Sequence, residues 1–319
     1  MKTISVVIPC LNEEQVLPLY YEEMKKVTAA LPDLHFELLF IDDGSVDGTL
    51  RVMKKLHAQD QDCHYCALTR NFGKEAALFA GMEHSSGEYV IIMDADLQDP
   101  PSLIPRMVDE MLNGCYDCIA VRRKDRKGEK WFRSLMSRMF YKALNRMTPI
   151  LIAEGARDYR IMNRKMVDGY LMLKERNRFS KGLFAWSGFR TKWIMHENAQ
   201  RAVGDTRWTM LSLTRYALDG ILGFSTLPLS ISSYSGIFLC VASLLMMCVL
   251  IIRYLLWHDP VQGWTTLMCV MLLLGGFQLF CIGILGQYLS RTYIEVKNRP
   301  IYMIRETDLD PRWSNESGA

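Results

Sequence analysis

An α/β fold on a mostly parallel sheet, followed by two long apolar helices, is what this 319-residue sequence predicts. Three observations carry it. Short apolar runs alternate with helical patterns through the first part of the chain, the signature of βαβ units. Polar residues gather just after successive apolar runs. Residues 1–230 have the mixed polarity of a water-exposed α/β protein, whereas residues 233–290 are far more hydrophobic.

Taken in order, residues 4–8 read as a buried strand closed by Pro9. Glu13 and Glu14 then open a helix to about residue 30, their carboxylates at the favourable end of its dipole. Residues 36–41 form a second strand ending in Asp42-Asp43-Gly44-Ser45, and Asp47 or Thr49 caps a helix reaching about His57. A third strand, 65–69, leads through Arg70 and Lys74 into an Ala- and Leu-rich helix. The fourth, 89–93, is nearly all apolar, as a strand buried on both faces should be, and 115–121 is a fifth.

The fourth strand runs into Asp94-Ala-Asp96. In a strand, alternate side chains share a face, so the two carboxylates lie side by side at the carboxyl end of a core strand. That edge is where open parallel sheets bind ligands. Such a pair repels itself unless a cation such as Mg²⁺ or Mn²⁺, holding a diphosphate, lies between. The plainer reading is a turn with two solvated Asp. Context favours the cation. Asn12/Glu13, Asp42/Asp43, Arg70/Lys74 and Asp94/Asp96 all follow strand ends and should line one crevice, with carboxylates for base, ribose and metal and cations for phosphate. That set fits a nucleotide, and the absence of a G-x-G-x-x-G or Walker-type loop counts against NAD and ATP.

Lys plus Arg total 38 against 35 for Asp plus Glu, a net charge of +3 that argues for no nucleic-acid partner. The amino terminus enters a strand directly, without a signal-peptide pattern, which places the first domain in the cytosol. Cys63/Cys66 and Cys115/Cys118 have Cys-x-x-Cys spacing, but each pair runs into a strand, where residues three apart face opposite sides. Reduced thiols are expected instead.

Four segments, VVIPCLNEE, IDDGSVDGT, RNFGKEAALFAG and DADLQDPP, resemble the inverting family 2 glycosyltransferases of GT-A fold. More narrowly the chain is similar, over about its whole length, to the polyprenyl-phosphate glycosyltransferases, the bactoprenol glucosyltransferases and dolichol-phosphate mannose synthases. The resemblance implies that Pro9, Leu11, Glu13 and Asp42 hold base and ribose, and that Asp94, Asp96 and Gln98 hold metal and diphosphate. It further implies acceptor-phosphate contacts at Arg122, Arg133 and Ser137, and an acidic residue near the acceptor at Asp158. Arg157 stands where the family usually has Gly, so it could pair with Asp158 and lower its pKa. Arg201 to Arg207 resembles a loop that closes over the diphosphate, with Arg207 for the usual Lys. A tetramer is also implied.

After the fifth strand comes a charge run, then residues 131–147 with Trp131, Phe132, Leu135, Met136 and Phe140 on one helical face and Arg133, Arg138 and Lys142 on the other. A basic amphipathic helix suits a membrane interface, with core packing as the rival. Residues 208–224 form a second such helix. Residues 235–252 and 264–289 carry no charge and are long enough to cross a hydrocarbon core of ~30 Å; a buried core hairpin is the alternative. The loop between them lacks Lys and Arg, while Arg291, Lys297, Arg299 and Arg305 follow the second, so positive-inside bias puts both termini in the cytosol. Gly275, Gly276, Gly283 and Gly286 would allow close helix packing, within the chain or between subunits.

The expected organisation is a cytosolic catalytic domain over 1–230, a transmembrane hairpin over 231–290 and a cytosolic tail over 291–319. The expected activity is inverting transfer of a sugar, from a UDP-sugar such as UDP-glucose or UDP-N-acetylhexosamine, to undecaprenyl phosphate at the cytosolic face of the cell membrane, for cell-envelope glycans. A processive polysaccharide synthase is one rival, opposed by the lack of a Q-x-x-R-W segment and by only two spans. A non-catalytic membrane scaffold is another, opposed by the intact carboxylate set.

Overall fold

The computed structural model describes residues 1–123, 153, 155–196, 221–257 and 263–309. The chain forms two compact units, Met1–Arg215 with Pro300–Ala319, and Tyr216–Arg299. Residues 131–147 and all but the last four of 208–224 lie outside the described residues, as do Arg133, Ser137, Arg201 and Arg207.

The first unit is built on one eight-stranded sheet of order β7-β5-β6-β4-β1-β2-β3-β8. The strands are β1 Lys2–Cys10, β2 Leu34–Asp42, β3 Cys63–Leu68, β4 Tyr89–Ile92, β5 Cys118–Arg123, β6 Ala156–Asn163, β7 Thr191–His196 and β8 Ile304–Thr307. Strands β1 to β4 run parallel, joined by α1 Leu17–Ala29, α2 Thr49–Gln59 and α3 Lys74–His84. β6 runs antiparallel between β4 and β5, and β8 antiparallel along β3. After β4 a 3-10 turn, Pro101–Leu103, leads into α4 Ile104–Asn113; α5 Arg164–Leu171 and α6 Ser180–Trp186 follow β6. The strand–helix alternation thus marks the parallel half. β6 and β8 are antiparallel additions, which need no crossover helix, whereas β7 runs parallel to β5 as the edge strand.

Val6, Val7 and Ile8 of β1 are wholly buried, consistent with its central place, and each such side chain contributes about 1.5–3 kcal/mol of apolar burial. Helix α3 lies hard against this strand: a Cβ at Gly81 would sit 2.2 Å from Val7 Cγ1. The missing side chain at Gly81 therefore sets how closely α3 packs on β1.

Three local expectations need correction. Glu13 and Glu14 do not open α1, which starts at Leu17 with Pro18 in its first turn. Their backbone N–H groups and the Glu14 side chain instead hold the loop after β2 (below). β4 ends at Ile92, so Asp94 and Asp96 lie in the turn beyond it, not on the strand. β5 begins at Cys118, leaving Cys115 outside it and exposed. The cysteines described with side chains are all free.

The second unit holds α7 Leu227–Trp257 and α8 Trp264–Val296, of 31 and 33 residues. At 1.5 Å per residue each exceeds ~45 Å, longer than the hydrocarbon core of a bilayer. Their apolar stretches, Leu227–Val249 and Val270–Val296, have mean hydropathies of 1.8 and 1.9 and are 6% and 0% buried. A buried core hairpin does not fit helices so exposed. Cβ atoms at Gly275, Gly276, Gly283 or Gly286 would meet nothing within 4 Å, so among the described residues these glycines make no close helix contact within the chain. Tyr288 Oη donates to Ser225 O at 2.7 Å, tying α8 to the segment before α7.

Candidate active site

The antiparallel register of β4 and β6 builds the site. Ile92 pairs with Arg160, so the chain two residues onward from Ile92 lies opposite the chain two residues before Arg160. Those residues are Asp94 and Asp158. Lys74, first residue of α3, sits between them: its Nζ is 2.7 Å from an Asp94 carboxylate oxygen and 2.7 Å from Asp158 Oδ2. All three remain partly open, at 41%, 36% and 22% exposure. Burial works against the Lys74 charge, but Asp158 and then Asp94 outweigh it and raise the ammonium pKa. Burial likewise opposes the Asp158 charge, yet Lys74, Lys181 and Arg160 together hold its carboxyl below the usual carboxylate range.

Arg160 fixes the chain that carries Asp158. It is buried, its Nε donates to Asp158 O at 3.1 Å and its Nη2 to Arg157 O at 3.0 Å. Its guanidinium lies 3.8 Å from the Phe184 ring centre. Arg157 ion-pairs with Asp99 at 2.7 Å, and the cation whose pull dominates at Asp158 is Lys74. Burial pushes the Asp99 carboxyl up to about 6 although Arg157 pulls it down. The Arg157–Asp99 pair thereby ties the Asp94–Asp99 turn to the start of β6.

Within that turn Asp96 Oδ1 accepts the Gln98 N–H at 3.1 Å, and Leu97 adopts φ +56. Asp94 and Asp96 are half-buried on either side of buried Ala95, so the alternation expected of a strand persists beyond its end. Asp94, Asp96 and Gln98 each offer a hard oxygen donor, the kind that suits Mg²⁺ or Mn²⁺.

The loops after β1, β2 and β3 interlock. Asn12, at φ +55, donates its N–H to Ser45 Oγ and accepts from Val46 N, both at 2.9 Å. Glu13 N–H donates to Thr49 Oγ1 at 2.8 Å, and Glu14 accepts from Gly48 N at 3.0 Å and pairs with Arg51. Asp43 is spent on structure: its carboxylate accepts the N–H groups of Phe72 and Gly73 at 2.7 and 2.9 Å. Gly73, at φ +99, gives the turn into α3 a backbone that few other residues adopt.

Asp42 differs from its neighbour. Wholly buried, it accepts Ser45 N–H at Oδ1 (2.9 Å), while Oδ2 has no hydrogen-bond partner among the described residues. A buried acceptor without a donor is costly and points to a ligand donor. β1 runs through Pro9 to Cys10 rather than closing at Pro9, which is half-buried, as are Leu11 and Glu13 in the loop that follows. Cys10 confirms the convergence: burial first, then Glu13, Asp42 and Asp94, raise its thiol pKa. Arg70 is exposed, its guanidinium 4.1 Å from the Phe72 ring centre. Arg122, half-buried near the end of β5, pairs in register with Ala156, close to Asp158 along β6.

Sequence reasoning missed Arg160, Asp99, Glu75 and Lys181. Glu75 accepts hydrogen bonds from Ser180 N and Oγ, fastening α6 to α3, and burial raises its pKa. One signal was available. Asp158 and Arg160 alternate with Tyr159 and Ile161, the period of a strand, but alternation places Arg160 on the solvent face and its burial was not legible.

Residues 5–171 match the family described as Glycosyl transferase family 2. CsbB of Bacillus subtilis (strain 168), named only provisionally as a glycosyltransferase, is 41% identical over 308 residues, 96% of this chain and 92% of its own length. The bactoprenol glucosyl transferase of Shigella phage SfII is 39% identical over 304 residues, covering 95% of this chain and 98% of the relative. Among solved structures, glucosyl-3-phosphoglycerate synthase from Mycobacterium tuberculosis aligns at 21% identity and a TM-score of 0.45, covering 69% of this chain and 78% of that one.

Proposed function

Since the chain belongs to glycosyl transferase family 2 and is a glycosyltransferase, we propose that it moves a sugar from a UDP-sugar to a polyprenyl phosphate at the cytosolic face of a membrane. The bactoprenol transferase relatives support the acceptor, and the two long apolar helices support a membrane setting. The observation that carries the reading is the meeting of Asp94 and Asp158 at the end of β4, bridged by Lys74.

On this reading Asp42 and Glu13, with Pro9, Leu11 and Asn12 shaping the loop, hold base and ribose; the unpartnered Asp42 Oδ2 awaits a ring N–H or ribose hydroxyl. Asp94, Asp96 and Gln98 would hold Mg²⁺ or Mn²⁺, which when bound neutralises charge on the departing diphosphate. Arg70 and Lys74, with Arg201 and Arg207, add cationic charge for the diphosphate. A lipid-phosphate oxygen forms the new bond to the anomeric carbon as the bond to the UDP oxygen breaks on the opposite face, inverting the centre. The electron pair leaves with UDP.

Such a nucleophile needs no general base. Its second pKa is about 6, so it is mostly dianionic at pH 7. Asp158, held ionised by Lys74, is a weak base suited to positioning. Arg122, Arg133 and Ser137 orient the lipid phosphate. The proposed division is a cytosolic domain over 1–230, a hairpin over 231–290 and a tail over 291–319, both termini cytosolic, with subunits assembling through the glycines of α8. Anomeric analysis of the lipid-linked product, across a panel of nucleotide sugars with undecaprenyl phosphate, tests the reading. Inverted product with one UDP-sugar is expected; retained configuration contradicts it.

A further inference from the structure

Away from the crevice, three side chains from three elements converge at the β3–β8 edge: His57 in the last turn of α2, His64 in β3 and Asp308 just past β8. Each offers a ligand atom, and these atoms lie within 4.8 Å of one another. His64 Nδ1 is 2.6 Å, and His57 Nδ1 3.5 Å, from Asp308 Oδ2. The side chains are 26%, 27% and 11% exposed, half-sheltered yet open to an ion from solvent. Backbone groups brace them: Asp308 Oδ1 accepts Tyr65 N–H, and His57 Nδ1 lies 2.7 Å from Cys63 O.

We propose that this cluster is a site for Zn²⁺ or a similar divalent transition-metal ion, one that fastens the carboxyl-terminal strand to the sheet. Two imidazoles and a carboxylate suit such an ion, whereas Mg²⁺ and Ca²⁺ favour all-oxygen sets. Tetrahedral ligands at Zn²⁺ bond lengths stand roughly 3.3 Å apart. The 3.5 Å between His57 Nδ1 and Asp308 Oδ2 is close to this; binding there exchanges the His57 Nδ1 hydrogen bond to Cys63 O for the metal and draws His64 back from 2.6 Å. The place gives it a task. The chain rejoins the first unit at Pro300, and β8 contributes only four edge residues, pinned by Lys54–Glu306 and Thr307 Oγ1 to Tyr65 O. A cross-link from β8 to α2 and β3 stabilises so short a strand by mass action.

The test uses full-length, metal-stripped protein in detergent and needs no turnover, so it stands apart from the sugar-transfer reading. Co²⁺ absorption and Zn²⁺ calorimetry measure binding, and hydrogen exchange follows residues 302–309. Expected are one tight equivalent and a tetrahedral Co²⁺ spectrum without the thiolate charge-transfer band that Cys63 or Cys66 would give. His64→Ala and Asp308→Asn should weaken Zn²⁺ by at least ~100-fold. His57→Gln should do the same while leaving the His64–Asp308 contact, and Zn²⁺ should slow exchange in β8 only in the unaltered chain. No saturable Co²⁺ signal overturns the proposal, as does a thiolate spectrum. So does a Co²⁺ spectrum or Zn²⁺ affinity unchanged in His57→Gln.

Discussion

Asp94 and Asp158 face each other across the β4–β6 pair because Ile92 is in register with Arg160, and Lys74 Nζ holds both at 2.7 Å. Two carboxylates so close repel each other unless a cation lies between them. Lys74→Met removes that cation and leaves the pair to repel. The expected result is a loss of about 10²–10³ in kcat/KM, with Lys74→Arg restoring part of it, measured by steady-state sugar transfer. Unchanged kinetics would mean the contact is incidental.

The Arg157–Asp99 pair is nearly buried, at 13% and 5% exposure. Arg157→Ala strands the Asp99 carboxylate, and breaking such a pair costs about 3–5 kcal/mol. Asp99→Asn added to it should recover much of that loss. Thermal melts of the two variants check both statements, and equal melting temperatures would refute the pairing as a structural tie.

Glu37 supplies a pH dependence. Burial opposes its charge, but hydrogen bonds from Ser5 and from Ser86 N and Oγ outweigh it and lower its pKa. A depressed folded pKa stabilises the chain above the ordinary Glu value of about 4.3 and ceases to as pH falls through the folded value. Glu37→Gln should therefore cost about 1–3 kcal/mol at pH 7 and progressively less below pH 4, read from urea unfolding at each pH. A cost that grew on acidification would reverse the sign.

Charge asymmetry around the two apolar helices predicts orientation. In intact cells, on a cysteine-free background, a single Cys at position 263 should react with an impermeant reagent and one at 303 should not. The reverse pattern would put the proposed nucleotide crevice on the wrong side for a cytosolic donor.

The parallel half of the fold was legible because each of β1 to β4 is an apolar run followed by a helical pattern. The site was legible where polar residues crowd strand ends, as at Asp42, Arg70 and Asp94. What the chain order concealed is pairing. Nothing in the sequence near Asp158 says that β6 turns antiparallel against β4, yet that register brings Asp158 to Asp94. Asp42 and Asp43 look alike in sequence; only the folded loops show Asp43 spent on Phe72 and Gly73 and Asp42 left with a spare oxygen. Likewise Arg157 looked like a partner for its neighbour Asp158, but successive strand residues point apart, and it reaches Asp99 instead.

Incorporation of radiolabelled sugar from UDP-glucose into undecaprenyl phosphate, run beside the unphosphorylated polyprenol and with excess EDTA, tests the proposed reaction most directly. Transfer to a phosphate nucleophile through a metal-bound diphosphate predicts labelled lipid only with the phosphorylated acceptor and free Mg²⁺ or Mn²⁺. It also predicts a loss of several orders of magnitude in Asp96→Asn. Equal labelling of the polyprenol, or full activity in EDTA, would contradict it.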